Sequence, residues 1–214
     1  MGYVTVTPET VEPIDVPTLV DMVKTRMDEI DHASISIDVG VVDNRPLESI
    51  IESLLNECKL EVLTNAPISQ LPKVKYSFAS NKHSALSGYD TAAIEVPDDA
   101  LRVLSIRNSD WKRTLTTFVE TTSSKYARQA YEFVKATNSN PAAAMIDGTS
   151  VEIFPYKSPA TTEMIYVSSD TSYAQLNRRM IDALCWLCAV KTFTVMGLPE
   201  IAQRCAEFYK MIIT

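Results

Sequence analysis

Cys185-Trp186-Leu187-Cys188 is the segment whose residue types and spacing come nearest to chemistry. A C-x-x-C pair holds zinc when two more ligands complete a tetrahedron. It cycles as a redox dithiol when its first cysteine stands at a helix N-terminus, where the thiolate is favoured. Cys58 and Cys205 form no second pair, and Cys185 lies inside the apolar run Ala183 to Val190, deep in a predicted helix. Thiols in that setting stay protonated and pack as small apolar groups. The four cysteines, all in apolar helical contexts, do not form a secretory disulfide framework.

Other reactive types are equally isolated. His32 follows a predicted helix end and His83 lies in a polar stretch, and neither belongs to a catalytic pattern. Asp28, Glu29 and Asp31 form one acidic group, and Asp98-Asp99 is an acidic pair with no histidine or second carboxylate cluster at metal-binding spacing beside it. Asp98-Asp99 follows Pro97 and precedes an apolar strand, so turn formation accounts for it. Residues 38–43 lack the ligand spacing of a calcium loop, the five glycines make no phosphate cradle, and no Gly-x-Ser-x-Gly elbow occurs. The expectation is a non-enzymatic protein without metal or cofactor.

The elements that carry these residues belong to a 214-residue chain with 46% apolar and 22% charged residues, an ordinary globular composition. The formal charge of -7 is uneven: residues 1–100 hold 17 acidic and 7 basic residues, residues 101–214 hold 10 and 13. An acidic part and a mildly basic part suit head-to-tail contact between copies, or reflect uneven surface decoration. No Lys/Arg cluster or nucleic-acid-reading motif is present. No signal peptide is read at the start, Gly2 is a weak match to myristoylation, and no apolar run is long enough to cross a membrane.

Hydrophobic periodicity and turn chemistry predict an α+β fold. Residues 1–16 read as an extended N-terminal arm, with Val4, Val6 and Val11 among Thr, Glu and Pro. A single domain is expected over 17–214. Its helices cover 17–65: one from Pro17 to Asp31, and one capped by Asn44 with Pro46 in its first turn, separated by an alternating stretch at 32–43. Residues 66–92 read as a loop. A β-rich insertion of small, mainly antiparallel strands spans 93–167, with Asp147-Gly148 as a hairpin turn and a helix at 123–136. Two helices over 171–212 end the chain. The first is closed by Gly197 and the second opened by Pro199, and the short link favours antiparallel packing. Helices from the two chain ends are expected to close into one bundle, with the sheet as an insertion between them in the chain.

Aromatic and basic residues at element edges suit protein interfaces. Tyr76, Phe78, Trp111, Arg113, Tyr156, Arg178 and Arg179 are candidates of this kind, with Tyr3, Val4 and Val6 on the arm and Tyr209 near the end of the last helix.

The run Ile94-Glu95-Val96-Pro97-Asp98-Asp99-Ala100-Leu101-Arg102-Val103-Leu104-Ser105-Ile106 is followed by Ser109-Asp110-Trp111-Lys112-Arg113. Then come Tyr126 and Gln129, Asn140-Pro141-Ala142-Ala143, and Val151-Glu152-Ile153-Phe154-Pro155. This succession resembles head-to-tail connector (adaptor, or ring) proteins of crAss-like tailed bacteriophages, and more distantly podovirus tail adaptors. The resemblance covers about residues 94–214 best, is limited to a two-helix layout over 17–65, and omits the arm and the 66–94 stretch. It implies a structural virion protein, a homo-oligomeric ring that is often twelvefold. Such a ring sits beneath the portal protein, contacts further ring or tail proteins, and encloses a channel through which double-stranded genomic DNA passes without sequence-specific binding. It implies no catalytic residue, no cofactor and no membrane, and a location at the portal vertex of the virion after assembly in the host cytoplasm. The alternative reading is another non-enzymatic scaffold or interaction module of a virion or cell.

Overall fold

The computed structural model of the chain describes residues 14–31, 47–78, 84–85, 90–131, 133–146, 148–157 and 159–214. Nearly all of the expected arm, the stretch 32–43, Asn44, Pro46, His32 and His83 lie outside the described residues. The described chain is mixed α+β, with five α-helices and two small antiparallel sheets. It divides into two compact units: the residues up to Leu71 together with Thr171–Thr214, and Pro72–Asp170.

In the first unit, α1 (Val16–Asp31) starts where Asp15 Oδ1 accepts a hydrogen bond from the Thr18 backbone N–H at 2.9 Å. Leu19, Val23, Met27 and Ile30 fall on its buried face. The buried stripe of α2 (Leu47–Asn65) runs through Ile50, Ile51, Leu55, Cys58 and Val62. Pro67 follows two residues past its end, where the residue before a proline resists helical backbone.

The penultimate helix, expected from residue 171, begins later. Tyr173–Gln175 is a separate 3-10 turn closed by a Ser172/Gln175 capping box, and α4 spans Arg178–Val195. Two capping residues stand five positions apart, and the second sets the start: Asn177 accepts from the Met180 N–H at 3.0 Å. At the other end Gly197 takes φ 76°. Gly197 N–H bonds Thr194 O at 3.1 Å and Leu198 N–H bonds Phe193 O at 2.9 Å, a complete Schellman closure. Pro199 then opens α5 (Pro199–Ile213). Helix α4 touches each of the other three long helices. Lys191 on α4 reaches Glu57 at 2.6 Å and Glu61 at 2.7 Å on α2, and the Trp186 ring stacks on Phe208 of α5 with centroids 4.6 Å apart.

The second unit holds two sheets rather than the expected one. The three-stranded sheet has the order β1-β7-β4 and the four-stranded sheet β2-β3-β6-β5. The strands are β1 (Val74–Phe78), β2 (Ser84–Ala85), β3 (Ala92–Glu95), β4 (Ala100–Asn108), β5 (Ala142–Met145), β6 (Ser150–Phe154) and β7 (Thr162–Ser168). Strand β1 corrects the expected loop at 66–92. Val74, Tyr76 and Phe78 alternate with Lys75 and Ser77 at the period of a strand, although Tyr76 is exposed with its polar neighbours. Antiparallel pairing with β7, from Val74↔Tyr166 to Phe78↔Thr162, holds it in place. One apolar core draws on both sheets, including Ile94, Ile106, Val151, Ile153 and Met164. Gly148, at φ 82°, turns β5 into β6.

The helix expected at 123–136 is also corrected. Ser123 caps a single turn, α3 (Ser124–Ala127), and Arg128–Ala130 tightens into a 3-10 turn. The segment then leaves the helical path, and Gln129 Oε1 accepts the Ala136 backbone N–H at 2.8 Å in place of a helical carbonyl. Tyr126 is half-buried whereas Phe133 is fully exposed, so the apolar residues do not share one buried face. A short helix without such a face is marginal.

Candidate interaction surface

Strand β1 lies at the edge of its sheet and presents Tyr76 outward, 42% exposed, with its ring edge-on to buried Phe78 at 4.7 Å. Where β3 ends, Pro97-Asp98-Asp99-Ala100 folds into a turn closed by the Ala100 N–H on Pro97 O at 2.8 Å, as the proline and acidic pair require. Ser169 N–H on Asp99 O, 2.7 Å, ties that turn to the end of β7. The Tyr166 hydroxyl lies 3.1 Å from Asp99 Oδ1 and 3.2 Å from Oδ2 and donates to this carboxylate. Burial, and then the Asp99 carboxylate, push the Tyr166 phenol above its ordinary range.

These residues enclose a cavity of about 260 Å³, with Tyr76, Phe78 and Tyr166 as aromatic walls and Glu95, Asp98 and Asp99 as acids. Carboxylates beside aromatic rings are suited to a basic side chain, which gains charge-assisted hydrogen bonds and ring contact together. A second cavity, of about 140 Å³, shares no lining residue with the first and carries the opposite charge: Arg113 and Lys125 line it with Thr114–Thr117 and Pro141. Arg113 Nη2 donates to Asn140 Oδ1, which fixes the guanidinium over the turn before β5.

Of the residues read as interface candidates, Tyr76 and Phe78 thus line the acidic cavity and Arg113 the basic one. Phe78, Trp111 and Tyr156 are 5%, 3% and 7% exposed and serve the core of the second unit, with Trp111 Nε1 donating to Pro155 O at 2.9 Å. Arg178 is exposed at the first position of α4, and Arg179 Nε donates to Ile212 O at 2.8 Å near the end of α5. Tyr209 is half-buried on α5. Tyr3, Val4 and Val6 lie outside the described residues. Tyr131, an aromatic residue of the kind suited to interfaces, is exposed, and further exposed apolar side chains were not singled out as candidates: Phe133 and Val134 in the second unit, Phe208 and Met211 in the first. A helix over 123–136 would have placed Phe133 and Val134 on one side with Tyr126 and Ala130.

All four cysteines are free and buried. Cys185 and Cys188 sit within α4, and burial lifts the Cys185 thiol to about 12 and Cys205 to about 11. Cys58 is pushed far higher by its hydrogen bond with Cys188 and by burial. Among the described residues no three potential ligands gather where they could hold a metal ion, and no helix is long and apolar enough to cross a membrane.

Sequence reading also missed Glu152. It is 5% exposed on β6, with Oε1 accepting from Thr91 Oγ1 at 3.1 Å and Oε2 from the Tyr126 hydroxyl at 2.6 Å. Between Val151 and Ile153 its place in the alternation reads as solvent-facing, yet Tyr126 of the α3 segment and Thr91 cover it. No protein-family model matches the chain, and a search of curated proteins finds no match.

Proposed function

We propose that the chain is a structural subunit of a tailed-bacteriophage neck, a connector whose copies close into a ring between portal and tail. One observation carries this reading: the second unit bears an acidic, aromatic cavity at Tyr76, Glu95, Asp98 and Asp99, and a separate cavity lined by Arg113 and Lys125. A closed ring needs a heterologous contact, in which one face of each copy meets a different face of the next. Two oppositely charged cavities on one compact unit are the kind of unlike surfaces such a contact would use, and their charges would favour one register of assembly. The resemblance of about residues 94–214 to phage connectors is what suggests the neck as the site of such a ring.

On this reading the helices from the two chain ends form one bundle that makes the ring wall, and residues 1–16 are an extended arm that docks on a neighbour. The exposed Phe208 and Met211 of α5, and Tyr131, Phe133 and Val134 of the second unit, are apolar area for contact with further ring or tail proteins. The protein works without catalysis or cofactor at the portal vertex, and genomic DNA passes through the ring without sequence-specific contacts. The test is imaging and mass measurement of the purified chain mixed with the portal protein of the same virion. Rings of one copy number seated on the portal are the expected result. A chain that stays monomeric with the portal present overturns the reading.

A further inference from the structure

We propose that the cavity beneath α3 is a binding site for an alkylguanidinium or alkylammonium group, with Glu152 as its anionic end. On β6, Val151 and Ile153 enter the core shared by both sheets, so Glu152 and Phe154 face the opposite side of the sheet, under the α3 segment. The Glu152 carboxylate is held by two neutral hydroxyls, those of Thr91 and Tyr126, and has no ion-pair partner among the described residues. Lys135, on the same covering segment, is engaged by Asp90 at 3.3 Å. A buried carboxylate is costly unless a cation compensates it.

Beside this carboxylate is a cavity of about 210 Å³ lined by Tyr126, Ala127, Gln129, Ala130, Glu152 and Phe154. Tyr126 and Phe154 meet edge to face at 6.0 Å, and the two alanines add methyl walls. One acid end with aromatic and aliphatic walls complements a cationic head on a short apolar stem. Gln129 is already committed at both ends of its amide, to Lys125 O and the Ala136 N–H, so it does not turn the site toward anions. The volume is below the ~300 Å³ at which pockets for drug-sized ligands begin, and matches a single side-chain-sized group. The site stands independently of the ring.

The experiment titrates the full chain with n-butylguanidinium and n-butylammonium, following NMR shifts, with n-butanol as the uncharged control. Saturable binding of the cations but not the alcohol is expected. Glu152→Gln should weaken it at least about tenfold. Ala130→Leu should weaken it similarly, since it fills the cavity from an exposed position and leaves the carboxylate and the thermal melt in place. No saturable binding to the wild-type chain, equal binding of butanol, or cation binding unchanged in both variants overturns the proposal. Sedimentation in the presence of butylguanidinium separates two sources of the group. Dissociation of assemblies assigns the site to a Lys or Arg side chain of a second copy, and unchanged assemblies with bound cation assign it to a free amine or guanidine.

Discussion

Arg26 on α1 grips one carboxylate oxygen of Asp182 on α4 with two nitrogens, Nε at 3.0 Å and Nη2 at 2.7 Å, and its guanidinium lies 5.7 Å from the centre of the Trp186 ring. Two side chains 156 positions apart thereby join α1 to the helix that packs on every other long helix. The pair is about one-third exposed, so solvent screening takes part of its value. Arg26→Ala should lower stability by about 1–2 kcal/mol in urea denaturation. Arg26→Lys should recover little of it, because an ammonium offers neither the fork nor the ring stacking. A loss within the error of the midpoint would show that the pair is ornamental.

Leu184 has no exposed surface in α4. Leu184→Asp removes a side chain whose burial is worth about 1.5–3 kcal/mol and leaves a carboxylate without a partner. The variant should fail to fold, with no cooperative melt by circular dichroism and most of the protein insoluble. A soluble variant melting as the parent does would show that α4 does not form the centre of the helical unit.

The cysteines should be inert in the folded chain. Cys58, Cys185, Cys188 and Cys205 have no exposed surface, and the Cys185 and Cys205 thiols are lifted to about 12 and 11 by burial. A disulfide reagent at neutral pH should therefore find no reactive thiol in the native protein and four after denaturation. Rapid labelling of Cys185 or Cys188 in the native protein would reopen a chemical role for the C-x-x-C pair.

Alkaline stability should carry the signature of Tyr126. Its hydrogen bond to the Glu152 carboxylate, with burial, raises the phenol to about 12 from an ordinary 10.0. The folded chain keeps this proton where the unfolded chain has released it, so the contribution is complete below pH 10.0 and is lost as pH rises through about 12. Tyr126→Phe should flatten the stability profile across that window and remove the latest tyrosinate transition in the ultraviolet titration. An unchanged profile would mean that the hydrogen bond does not persist in solution.

Local chemistry made much of this fold legible. Asp15 at the start of α1, Gly197 at the end of α4, Pro199 opening α5 and Gly148 in the β5–β6 turn each act through the backbone within a few residues, and each falls where turn and cap rules place it. What could not be read depends on distant partners. The pairing of strand β1 is set by β7, although its alternation of Val74, Tyr76 and Phe78 with Lys75 and Ser77 was there to be read. The 123–136 segment has helical spacing but follows the contacts of Tyr126 with Glu152 and Phe154. The interface candidates divided for the same reason: an aromatic residue near a strand end reads alike whether it faces solvent, as Tyr76 does, or the core, as Trp111 and Tyr156 do. Glu152 was invisible because its burial comes from a cover that pattern alone does not show.

Native mass spectrometry of two charge-reversed chains tests the central claim most directly. One carries Asp98→Lys and Asp99→Lys, the other Arg113→Glu and Lys125→Glu. If copies meet through these two unlike faces, each variant alone stays monomeric under conditions in which the parent forms a closed ring. An equimolar mixture then restores a ring with alternating subunits and an even copy number. Rings formed by either variant alone, or a mixture as monomeric as its components while the parent assembles, would contradict the account.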